Sequence, residues 1–178
     1  MDILGFFNCE EEKLLQQTDR LQEVMNHLRY EGKVFRGKNL KAANRIVEGI
    51  AARLEKHRIL QEKIIFHFLQ VHIPKRESMV RFLFSDHEDI QKNKERLRLS
   101  LRKLSRNHSP EDGKVQQWGT YLICLLRLHI ELERESIHKA IRTELRKDEK
   151  KEVEKRVTKW LLKQPGHQTK QQIKKVQR

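Results

Sequence analysis

With 178 residues, 36% charged side chains, 7 Gly and 3 Pro, the chain is long enough for one helical domain with a continuous core and too poor in turn formers for a sheet protein. Its formal net charge of +14 would draw nucleic acid, anionic lipid or acidic protein surfaces without choosing among them. No run approaches the length of a membrane span, MDILGFFNCEEE lacks the basic and apolar segments of a signal peptide, and Cys9 and Cys124 share no paired spacing, so a cytoplasmic chain with reduced thiols is expected.

A first helix is expected over about 9–30, with Phe7, Leu14, Leu21 and Leu28 in one heptad row and Glu11, Thr18 and Met25 in the next. After the loop EGKVFRGKN, a second helix over about 40–71 places Ile50, His57, Ile64 and Val71 beside Leu54, Gln61 and Phe68. Pro74 ends it. A third helix over about 77–104 carries Val80, His87 and Leu101, with Lys94 as an intruder, beside Leu83, Ile90, Leu97 and Leu104. The polar stretch SRNHSPEDGK leads to a fourth over about 115–145, where Leu122, His129 and Ser136 flank Leu126, Glu133 and Ala140. Such stripes with short connections predict an all-α, up-down antiparallel four-helix bundle over residues 1–145. Residues 146–178 form a basic extension. Its stripe of Val153, Val157, Trp160 and Leu161 predicts a fifth helix, docked on the bundle or prolonging the fourth, and the polar chain after Pro165 has the composition of a disordered tail.

The polar residues that interrupt the stripes carry the chemistry. His57, His87 and His129 each have mostly apolar neighbours one turn away, and Gln61 and Glu133 follow His57 and His129 at i, i+4 on the same faces. Burying such groups unpaired costs on the order of several kcal/mol each. Neutral imidazoles and a carboxylate converging on a transition-metal ion would offset that cost; core histidines each hydrogen-bonded to a neighbour are the alternative. His27, His67, His72, His108 and His167 lie off the stripes or near helix ends and loops. Glu135 and His138 form a single E-x-x-H directed off the seam, too little for a ferritin-like di-iron site. With no nucleophile motif, phosphate loop or H-E-x-x-H, neither an enzyme of the usual kind nor a pocket for an organic molecule is expected.

The segments HRILQEKIIFHF, with His57, Glu62 and the following IIF, SDHEDI, with His87, and LHIELERESIH, with His129 and Glu133, together resemble the hemerythrin-like, or HHE cation-binding, family over about 10–145. The stretch PKRESMVRFLFSDHED is similar to that family's approach to its third helix. The resemblance implies two irons bridged by carboxylates of the second and fourth helices, with His87, His129 and Glu133 on one metal, His57 on the other, and Glu133 between them. Gln61 stands where the second helix should supply its bridge, leaving Glu62 as a candidate, and the first helix offers Glu11 in place of the family's His, or Gln16 or Gln17 under a shifted alignment. One ion on His57, His87, His129 and Glu133, two ions, or none all remain open. The activities implied are reversible dioxygen binding, nitric-oxide or redox sensing, and iron handling. The competing expectation, prompted by the basic tail, is a metal-free bundle that binds nucleic acid or an acidic protein partner, although the chain has no DNA-reading motif.

Overall fold

The computed structural model describes residues 2–30, 35–105 and 111–163, and every regular element among them is helical. The expected disordered tail lies outside the described residues. Helix α1 is Ile3–Tyr30; α2 is Arg36–Leu60 and runs on through a widened turn, Gln61–Phe66, into His67–His72. A short 3-10 turn, Pro74–Arg76, leads to α3, Glu77–Leu104. Helix α4 is Glu111–Glu133 and continues through a second widened turn, Arg134–His138, into Lys139–Thr143; α5 is Lys147–Leu162.

Local chemistry sets the breaks. Pro74 disfavours helical backbone in the residue before it, and Ile73 leaves the helix at φ −135°. Helix α5 begins afresh from an extended Arg146, whose N–H donates to Glu149 Oε2 at 2.8 Å, so it is a separate element and not a prolongation of α4. Helix α1 starts six residues earlier than the stripe suggested, because Ile3 and Phe7 are both buried.

Helix α1 packs on α2 and α4, and α3 packs on α4 and α2. Two apolar clusters result. One joins the early residues of α1 and α3 (Ile3, Phe7, Val80, Leu83) to the late residues of α2 and α4 (Phe66, Leu69, Ile137, Ile141). The other joins Leu14 to Met25, Leu40 to Leu54, Ile90 to Leu104 and Val115 to Ile130. Helix α5 adds Val153, Val157 and Leu161 to the first cluster, with Trp160 partly buried against it.

The widened turns overturn two expectations. An i→i+5 turn uses an extra residue and rotates everything after it relative to α-helical phase. Val71, expected in the seam, is therefore 62% exposed, while Ile65 and Phe66 are buried. In α4 the same effect carries His138 inward to 2% exposure, with Ser136 and Ile137 beside it, so His138 does not face off the seam. Lys94 is buried, with its ammonium on Gln91. Cys9 and Cys124 are free and exposed. Among the described residues no helix is long and apolar enough to cross a membrane.

Candidate metal centre

A polar layer separates the two apolar clusters, and each of α1 to α4 contributes to it. Glu11 lies between Phe7 and Leu14, His57 between Leu54 and Leu60, His87 between Leu83 and Ile90, and Glu133 between Ile130 and Ile137. His129 and Glu133 are wholly buried, and His57 and His87 nearly so. One ligand atom from each of His57, His87, His129 and Glu133 lies within 4.8 Å of all the others.

Glu133 is the centre of this group. His57 Nε2 is hydrogen-bonded to its carboxylate, 3.0 Å from Oε2 and 3.2 Å from Oε1. His129 Nε2 is 3.1 Å from Oε1 and His87 Nε2 is 3.9 Å from it, charge contacts without hydrogen-bond alignment. The opposite ring nitrogens are anchored: His87 Nδ1 pairs with Glu62 Oε1 at 2.9 Å, and His129 Nδ1 with Asp86. A carboxylate on Nδ1 fixes the tautomer, directs the Nε2 lone pair inward and raises its basicity, as in carboxylate–histidine–metal triads. The Nε2 atoms of His87 and His129 are buried without a hydrogen-bond partner. Two buried imidazole nitrogens beside an ionised carboxylate are a donor set suited to a transition-metal ion once His129 releases its proton.

The electrostatics of the metal-free site are polarised. Burial, reinforced by the neighbouring His129, pushes His87 down to about 3. Burial also opposes charge on His129, but Glu133 and Asp86 outweigh it and raise His129 to about 10. Glu133 likewise suffers from burial, yet His129 and His57 hold it well below the usual carboxylate range. Glu62 is raised by burial against the pull of Arg58.

The remaining sequence candidates lie around this group. Gln61 opens the widened turn of α2, fully buried, with neither amide atom hydrogen-bonded. Glu62 supports His87 from behind and is held by Arg58 at 2.8 Å. Glu11 is fully buried between Arg134 Nε at 2.8 Å and His138 Nε2 at 2.9 Å. His27 and His67 are exposed, and His72 pairs with Glu149; His108 and His167 lie outside the described residues. Sequence reasoning missed the role of Asp86 and set His138 off the seam. Asp86 could have been noticed as an acid beside His87, but it serves the histidine of another helix. No pattern announced the turn that brings His138 in. A cavity of about 530 Å³ between α1, α2 and α5 reaches His57.

Compared with protein-family models, curated proteins and solved structures, the chain matches none. Fold and site together define an all-helical protein with a buried cluster of three histidines and a glutamate that could hold a metal ion.

Proposed function

We propose that the chain is a hemerythrin-like metal-binding protein that holds iron on His57, His87, His129 and Glu133 and works in dioxygen, nitric-oxide or redox sensing or in iron handling. One observation carries this reading: buried Nε2 atoms of His87 and His129 without hydrogen bonds, braced from behind by Glu62 and Asp86, converge on Glu133. The fold is read as an up-down antiparallel four-helix bundle with α5 added. Its support is the alternation by which early residues of α1 and α3 share a cluster with late residues of α2 and α4.

An iron ion held by these three imidazoles and one carboxylate would supply one-electron redox chemistry and an affinity for small diatomic ligands. The chain's part is to brace His87 and His129 through their Nδ1 atoms, to present His57 beside them on Glu133, to neutralise charge with Glu133, and to exclude bulk water with the apolar clusters above and below. Both widened turns begin beside this layer, at Gln61 and at Arg134. Such turns are frequent at functional sites because they aim side chains that an α-helix would direct elsewhere.

A two-ion reading has its own support. Glu11 Oε1, both amide atoms of Gln61 and His138 Nε2 are buried without hydrogen bonds, although Glu11 and His138 are in charge contact. The test is metal analysis of protein purified without chelator and loaded anaerobically with ferrous iron. About one ion per chain supports the single site, about two the paired one. Uptake should vanish in His129→Ala and Glu133→Ala and survive in His27→Ala. Failure of the unmodified chain to retain iron or any other transition ion sinks the reading.

A further inference from the structure

The cavity beside His57 has a polarity that the metal centre does not use. Its body is apolar, walled by Phe6 and Phe7 of α1, Leu60 of α2, and Trp160 and Leu161 of α5. Its rim is cationic. Lys13 and Arg53 share the single acid present, Glu10, at 2.6 and 2.9 Å, and Lys56, exposed on the same rim, has no acidic partner among the described residues. Three cations against one carboxylate leave about two positive charges at the mouth of an apolar slot.

The α2 wall is cut low where the slot needs room. Gly49 and Ala52 line it. Glycine inside a helix costs about 1 kcal/mol relative to alanine. A Cβ at Gly49 would meet the flexible amide end of Gln17 at 3.0 Å and nothing else within 3.5 Å, so close helix packing does not demand glycine there. A bare wall widens the slot instead. At about 530 Å³ it is within the range of small-molecule sites, and its lining combines apolar side chains with the charged Glu10, Lys13, Arg53 and Lys56.

We infer that this slot binds a small amphipathic monocarboxylate, its carboxylate on Lys56 and Arg53 and its apolar body against Phe7, Leu60, Trp160 and Leu161, ending next to the His57 ring. The ligand chemistry follows from the lining alone and does not depend on whether the neighbouring cluster holds an ion. A neutral apolar ligand would leave the rim charges unused. A cationic one would be repelled by them, and a polyanion would not fill the apolar body.

Octanoate is the probe. Titrated into the full-length chain, chelator-treated and iron-loaded alike, it should bind saturably by calorimetry and shift the emission of Trp160. The fluorescence is read in a Trp118→Phe background, because the chain has two tryptophans. Lys56→Glu, a change at an exposed residue, should weaken octanoate at least about tenfold by reversing a rim charge. Ala52→Trp, also at an exposed position, should abolish binding by filling the slot while far-UV circular dichroism stays unchanged. Octyltrimethylammonium, with the same tail and opposite charge, should not bind. Absence of saturable octanoate binding, equal binding of the cation, or undiminished affinity in either variant overturns the inference. Loss of iron uptake with octanoate binding intact would count against the metal reading alone.

Discussion

Glu62 holds His87 from the side remote from the cluster, its Oε1 2.9 Å from Nδ1, while Nε2 of the same ring turns toward Glu133. The two nitrogens of one imidazole are therefore unlike: Nδ1 is fixed by Glu62, and Nε2 faces the cluster as a donor that could take a metal ion. Removing the brace should loosen the ring without removing the donor. Glu62→Ala is expected to weaken metal affinity about 10- to 100-fold while preserving stoichiometry at saturation. His87→Ala should lose affinity more severely. Competition with a metal-binding dye separates the two outcomes, and equal affinity in Glu62→Ala and the unmodified chain would show that the brace is idle.

How far the sequence could be read depends on where helical phase holds. Ile50, Leu54 and His57 in α2, Leu83, His87 and Ile90 in α3, and Leu122, Leu126, His129 and Glu133 in α4 all keep the α-helical period, and all are buried as their spacing implied. Beyond Gln61 and Glu133 the period changes, and no residue type in QEKIIF or RESIH signals it. That is why Val71 faces outward and His138 inward, each opposite to its expected side. Glu11 could be recognised as a seam residue, but its partners Arg134 and His138 could not, because both lie past the phase change. Asp86 was hidden for another reason: an acid adjacent to His87 in the chain points to a different helix, and long-range pairing leaves no local trace.

Gln61 offers a sharper contrast. Its buried amide has no hydrogen bond, so the metal-free protein bears the desolvation cost of a polar group that gains nothing. Gln61→Leu, which replaces the buried amide by apolar atoms, should stabilise the chelator-treated protein by about 1–3 kcal/mol in urea melts. If a second ion or a ligand of the first ion uses that amide, the same variant should show a smaller stabilisation by metal than the unmodified chain. A destabilised Gln61→Leu in the absence of metal would mean that the amide is satisfied in solution.

Helix α5 is held to the rest of the chain by three buried aliphatic side chains. Val157 is fully buried in the cluster with Phe68 and Leu69, and Val153 and Leu161 flank it one turn away on either side. Val157→Ala deletes two buried methyl groups and should cost about 2 kcal/mol, including the cavity left behind. The loss should be visible in chemical denaturation, with iron uptake retained because none of the four cluster residues lies on α5. An unaffected denaturation midpoint would indicate that α5 undocks before the remainder unfolds.

The opposed titrations of His87 and His129 make the metal-free protein sensitive to pH in both directions. His129 is raised to about 10 in the fold and returns to about 6.5 when unfolded. Its contribution to stability is therefore complete below about pH 6.5 and is lost as pH climbs toward 10. His87 runs the other way. Depressed to about 3, it contributes above about pH 6.5 and is lost as pH falls toward 3, and Glu133, held below the usual carboxylate range, loses its own contribution in acid as well. Chelator-treated protein should thus melt highest near pH 6.5, with a lower Tm on either side. His129 must give up its Nε2 proton to act as a ligand, so iron-loaded protein should keep its Tm at about pH 9 while the acid limb persists, protons there competing for the same nitrogens. Asp86→Asn should shrink the alkaline limb of the metal-free curve by removing one of the two charges that hold the proton on His129. Superimposable melting profiles with and without iron across this range would dissociate the titration of His129 from metal binding.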